Sequence, residues 1–149
     1  MDRFLRLARR SPIDLLTLIV VTFLLAVIRI GLIVLPFPTL RRTLDKLAGA
    51  PNPQRVDDPE YQSRIVWATL TASPYLLPDK PCLTQALTVQ LLLRRKGIPA
   101  QLRIGVKKDG ENKLLAHAWV ESEGTIVIGG SKSELDEYKL LPALDVKSR

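Results

Sequence analysis

The order of elements along the chain predicts an α+β fold. Apolar residues of helical period fill roughly the first two thirds of the sequence. Short alternating segments, broken by Asp109-Gly110 and Glu123-Gly124, fill most of the rest. Helices followed by an antiparallel meander, with no β-α-β alternation, is the α+β pattern. The chain has 149 residues, 46% of them apolar, which is enough for one core with or without an appendage. No internal repeat or low-complexity segment is visible.

The first element is an apolar helical region, residues 1–47. Arg3, Arg6, Arg9 and Arg10 precede an apolar stretch from Ile13 to Phe37 that contains Asp14 and Arg29. The uncharged piece Leu15–Ile28 is shorter than the roughly 20 residues a spanning helix needs. It becomes long enough, Leu15 to Pro36, if Arg29 snorkels to an interface. Three readings stay open: a membrane segment over about 13–37, a signal peptide, or a pair of apolar helices buried in a core. Pro36 and Pro38 stand where a signal peptide would carry a small-x-small cleavage site, so membrane insertion or embedding is preferred. Arg9 and Arg10 on one side, and Arg41, Arg42 and Lys46 on the other, leave the orientation open.

Residues 48–60 read as a linker, with Gly49, Pro51, Pro53 and Pro59. Residues 61–149 then form the second region. Ile65, Val66, Ala68, Leu70 and Ala72 predict a helix over Tyr61–Ser73, and Pro74–Pro81 a proline-rich connector. The spacing of Leu83, Ala86, Leu87 and Leu91 predicts a helix over Pro81–Lys96. Pro81 suits its first position, Arg94, Arg95 and Lys96 its last turn, and Gly97 and Pro99 its end. Strands follow over Ala100–Val106, Lys113–Ser122 and Thr125–Ile128. The tail from Ser131, with Leu135 and Tyr138, predicts a closing helix or loop.

The chemistry rests on two singletons. The chain has one cysteine, Cys82, and one histidine, His117. One cysteine excludes an internal disulfide and fits a reducing compartment. Alone, a free cysteine is usually a buried hydrophobe, and a lone histidine is usually structural. Position changes that weighting. Cys82 opens a helix, and His117 sits on a rigid strand. A helix N-terminus and a nearby imidazolium both favour a thiolate, the form that attacks carbonyls. The backbone N–H of Cys82 is a natural oxyanion donor, because first-turn amides lack helical partners. Gln85, one turn on, reads as a solvated helix residue.

A third residue usually orients such a histidine. A hairpin turning at Glu123-Gly124 sets His117 opposite Gly129 or Gly130, which carry no side chain. Glu121 lies four residues along the strand, too far for a direct bond. Ser131, Glu134 and Asp136 could fold back. Failing that, a backbone carbonyl or water orients the ring and the pair is a Cys–His dyad.

Other chemistries are disfavoured. One cysteine and one histidine do not make a zinc site, and no glycine-rich phosphate loop is present, so neither metal nor cofactor is expected. The net charge of +7 suits an anionic partner, but aromatics make up only 5% and no nucleic-acid motif appears.

The segments Cys82-Leu83-Thr84-Gln85-Ala86-Leu87, Leu92 to Ala100, Leu102 to Val106 and His117-Ala118-Trp119-Val120-Glu121 together carry a resemblance. They resemble the transglutaminase-like B2 protein of lasso-peptide biosynthesis, the papain-like leader peptidase similar to the C-terminal domain of the microcin-processing protein. The resemblance covers about Trp67 to Gly130. It implies a papain/transglutaminase-like core, with the Cys82 helix packed on antiparallel strands bearing His117. It implies a cysteine peptidase that cuts the leader from a ribosomally made precursor, with Cys82 as nucleophile and His117 as general base. It also implies a separate leader-recognition protein, an asparagine-synthetase-type cyclase, and a location on the cytoplasmic side, held at the membrane through 13–37. Members of that family often carry an aspartate about a dozen residues after the histidine, and Gly129 stands there. Two alternatives remain. One is an amide-transferring or deamidating enzyme. The other is a non-catalytic, membrane-associated peptide-binding module with a degenerate site.

Overall fold

The computed structural model describes residues 10–50, 54, 56–79 and 81–142. Arg3, Arg6 and Arg9, Pro51 and Pro53 of the linker, and the last seven residues of the tail lie outside them. Four helices lead into a four-stranded antiparallel sheet, the α+β order the sequence predicts.

Helix α1 spans Pro12–Val34. The Ser11 side chain accepts from the Asp14 amide at 3.3 Å, Pro12 takes a first-turn position, and the chain turns extended at Leu35 ahead of Pro36. Helix α2, Phe37–Ala48, starts after Pro36 and ends at Gly49, whose φ of +80° a side chain would resist. The apolar stretch is therefore broken once, at the proline pair.

Helix α3 spans Pro59–Leu76, capped by Asp58 accepting from the Tyr61 amide at 3.0 Å. The sequence predicts a connector from Pro74. Instead Pro74 lies inside the last helical turn, and the helix runs on to Leu76. Proline removes one donor there, and the Leu77 amide still closes the turn onto the Ser73 carbonyl at 2.8 Å.

Helix α4 spans Cys82–Lys96. Pro81, expected as the first helical residue, is instead the cap residue, with φ −76° and ψ −5°, so the helix begins one position later, at Cys82. Gly97 adopts φ +91°, and the Ile98 amide bonds back to the Leu93 carbonyl at 2.9 Å, a Schellman-type end.

The sheet order is β3-β2-β1-β4, with β1 Gln101–Lys108, β2 Leu114–Ser122, β3 Thr125–Ile128 and β4 Lys139–Leu140. Asp109 shapes the first turn by accepting from the amides of Glu111 and Lys113 at 2.9 and 2.8 Å. Glu123 and Gly124 both take positive φ (50° and 80°), as a two-residue hairpin turn requires. The tail holds a four-residue helix, α5 Lys132–Leu135, and then β4, where a closing helix or loop was expected.

One hydrophobic cluster joins Val21 and Leu25 of α1, Ile65 and Ala68 of α3, Ala86, Val89 and Leu93 of α4, and Ala118, Val120 and Ile128 of the sheet. A second joins Ile28 to Leu40 and Leu44 of α2 and Leu87 and Leu91 of α4. Helix α4 thus packs against α1, α2 and α3 as well as the sheet. Among the described residues no buried side-chain nitrogen or oxygen lacks a hydrogen-bond partner. Gln90 donates to the Ala100 carbonyl at 3.2 Å and accepts from Arg41 at 2.7 Å.

Candidate active site

Cys82 is the first residue of α4, half-buried, with its side chain against the main cluster. Two features of the sequence put it there. Proline at 81 sets a helical φ without needing an N–H donor, and the apolar stripe of α4 seats the helix on the sheet. Gln85, one turn on, is half-buried, and its amide donates to the Pro81 carbonyl at 2.9 Å.

His117 lies in the middle of β2, paired with Gly105 of β1. Successive strand residues point to opposite faces. Ala118 and Val120 enter the cluster with α4. His117, Trp119 and Glu121 therefore point to the other face, and their contacts agree. The His117 ring lies 6.2 Å from the Trp119 ring, nearly parallel, and 5.5 Å from that of Tyr138. Trp119 Nε1 donates to Glu121 Oε1 at 2.9 Å, and Arg103 Nε meets Glu121 Oε2 at 3.3 Å. Gly105 makes room for this stack, because a Cβ there would come 2.8 Å from the Tyr138 Cβ.

The sequence-predicted pair is thus positioned but not joined. Cys82 belongs to the helix on one face of the sheet and His117 projects from the other face. No hydrogen bond links these two described residues.

The ring is nevertheless held. His117 Nε2 donates to the Gly129 carbonyl at 2.5 Å. A carbonyl only accepts, so this bond fixes the proton on Nε2 and leaves the Nδ1 lone pair free in the neutral ring. The register argument set Gly129 or Gly130 opposite His117, and the Gly129 carbonyl does the orienting.

Of the carboxylates after β3, Glu134 folds back. It lines a cleft with His117, Lys107, Ser133 and Tyr138. Its Oε2 accepts from the Ser131 amide at 2.8 Å, one arm of a capping box whose other arm runs from the Glu134 amide to the Ser131 side chain, and from the Ser131 hydroxyl at 2.9 Å. Those bonds hold the Glu134 carboxyl below its ordinary value, and the positive fields of His117 and Lys107 add to the effect. Glu134 is thus committed to Ser131, and Asp136 lines a neighbouring cleft beside Trp119 and Tyr138. Glu121, expected to be too far from His117, is bonded to Trp119 and Arg103 instead. Among the described residues no three histidine, cysteine or carboxylate side chains converge to hold a metal.

Sequence reasoning missed Tyr138 and Lys107 as the surroundings of His117. Lys107 donates to Glu137 at 2.9 Å, and its ammonium lies 4.8 Å from the Tyr138 ring centre. The bond to Glu137 raises the Lys107 pKa. The Ser131-x-x-Glu134 spacing was the available signal, since it marks the turn that returns Tyr138 to the sheet.

The cysteine opens a helix, the histidine lies on the adjoining sheet, and helices precede both. The family model described as the transglutaminase-like superfamily matches residues 24–142. The chain belongs to the transglutaminase-like superfamily. No curated protein and no solved structure matches it. The superfamily match begins inside α1 and runs past β4, so it takes in most of both hydrophobic clusters and the whole sheet. Within a transglutaminase-like domain, cysteine-dependent hydrolysis or acyl transfer is the usual chemistry.

Proposed function

We propose that the protein is a cysteine peptidase that removes the leader from a ribosomally made precursor peptide. Cys82 is the nucleophile and His117 the general base. The observation that carries this is the superfamily match over 24–142, which spans the chain's one cysteine at a helix start and its one histidine. The thiol proton goes to an unprotonated nitrogen of the His117 ring. The thiolate attacks the scissile carbonyl, and the tetrahedral oxyanion forms near the first-turn amides of α4. The C–N bond breaks as the imidazolium protonates the leaving amine. Water, deprotonated by the same ring, then hydrolyses the thioester. This chemistry requires a second conformation in which Cys82 Sγ and His117 Nδ1 meet on one side of the sheet. A separate leader-recognition protein and an asparagine-synthetase-type cyclase are the proposed partners. The proposed location is the cytoplasmic side of a membrane, reached through residues 13–37.

The opposite-face arrangement of Cys82 and His117, with glycine at 129, favours a second reading. In it the same fold is a non-catalytic module that holds a peptide without cutting it.

Iodoacetamide alkylation of Cys82, followed by mass spectrometry from about pH 5 to 9, separates the two. The peptidase reading expects fast alkylation that persists into mildly acid solution and is lost in His117→Ala. Free-thiol behaviour in both proteins would discard the peptidase and leave the binding module.

A further inference from the structure

We infer that α1 lies flat in one leaflet of an anionic bilayer, with its outer face buried in lipid, and does not span. The inference deepens the membrane location proposed above and rests on it. By length and composition α1 could cross: it has 23 residues and a mean hydropathy of 2.7 over its best window. Its packing argues otherwise. Val21, Leu25 and Ile28 are at most 1% exposed, sealed against α3, α4 and α2. Asp14 in its first turn is bonded to Arg64 of α3 at 2.9 Å, and Arg64 also meets Glu60. A spanning α1 would either drag those charges into hydrocarbon or strip its inner face from the core.

The outer face is another matter. Ile13, Leu16, Val20, Phe23, Val27 and Ile30 follow steps of three and four and are each at least 42% exposed. A 23-residue helix is about 34 Å long. A continuous apolar strip of that length is not left to water.

A second protein chain is a poorer fit than lipid. A stripe with this spacing could seed a coiled coil, but such seams are flanked by charged residues that choose the partner. The flanking positions here are Thr17, Ile19, Leu24, Ala26, Gly31 and Ile33, with no charge among them. Charge points the same way. Between residues 10 and 50 the acids are Asp14 and Asp45, paired with Arg64 and Arg94. Arg42 and Lys46 of α2 remain exposed, complementary to anionic headgroups.

Flotation with vesicles of phosphatidylcholine and phosphatidylglycerol, at about 70:30, tests the surface. The wild type is expected to float. The double variant Phe23→Ser, Ile30→Ser should lose binding by on the order of tenfold or more, with unchanged circular dichroism. Depth is then read from nitroxide-lipid quenching of a fluorophore attached at Leu16→Cys, Phe23→Cys or Ile30→Cys, each made with Cys82→Ser. Residues 16 and 30 are about 21 Å apart along the axis. Equal, shallow depths at all three positions establish the flat geometry. A maximum at residue 23 with shallow ends would overturn it and leave a membrane protein that spans. Failure of the wild type to float would discard the membrane location itself, and self-association through this strip in solution would do the same.

Discussion

The Gly129 carbonyl accepts the Nε2 proton of His117, so a backbone atom holds the position where a side chain would be expected to orient the ring. The chain can pass that close because residue 129 is glycine. Its φ is +114°, and a Cβ there would meet the Trp119 Cβ at 2.4 Å and the Trp119 Cα at 2.8 Å.

Gly129→Ala is therefore expected to push the strand end away from Trp119 and break the carbonyl bond to His117. Strain of this kind costs on the order of 1–3 kcal/mol, measurable by urea unfolding. Gly129→Asp, which places a carboxylate beside His117, should be no less destabilised and should not accelerate Cys82 alkylation. A gain in reactivity from Gly129→Asp would mean the local backbone yields more easily than its contacts with Trp119 imply.

Glu134 predicts a pH dependence with a definite sign. Hydrogen bonds from Ser131 hold its carboxyl below the ordinary value of 4.5. A depressed folded-state pKa means its contribution is fully present above 4.5 and is lost as pH falls through the lower folded value. The segment 131–136 should thus loosen in acid before the sheet does. Hydrogen exchange at the Ser131 and Glu134 amides reads this directly, and Glu134→Gln should remove the acid step, because the amide does not titrate in this range.

Much of this architecture was legible in the sequence because its signals were local. Pro81, the α4 stripe and Gly97 delimit a helix within one residue of that observed. Glu123-Gly124 fixes the hairpin and with it the neighbourhood of Gly129. Pro74 misled, because a proline near a helix end forfeits one hydrogen bond while packing still favours the helix. The site was legible only in part. Period-two alternation puts Ala118 and His117 on opposite faces, but which face α4 would cover depends on tertiary packing. Tyr138 reaches His117 through a turn whose return path is non-local, so no window of sequence around His117 contains it.

The polar join between α2, α4 and β1 predicts a stability cost. Gln90 is buried and bridges Arg41 to the Ala100 carbonyl, just before β1. Gln90→Ala leaves that carbonyl without its side-chain donor and takes an acceptor from Arg41. The expected loss is about 1–3 kcal/mol in urea unfolding. Gln90→Glu tests the polarity of the site: it keeps the acceptor for Arg41 but removes the donor to Ala100, so it should recover only part of the loss.

The two sides of α1 should respond oppositely to truncation. Leu25 has no exposure and sits in the main cluster, whereas Phe23, two residues earlier, is 67% exposed. Leu25→Ala removes a packed side chain and should cost about 2–5 kcal/mol. Phe23→Ala removes a larger side chain but leaves no cavity, so unfolding in a vesicle-free buffer should shift by no more than about 0.5 kcal/mol. If the two losses were equal, α1 would not be seated as described, and the division into a core-facing and a lipid-facing side would fail with it.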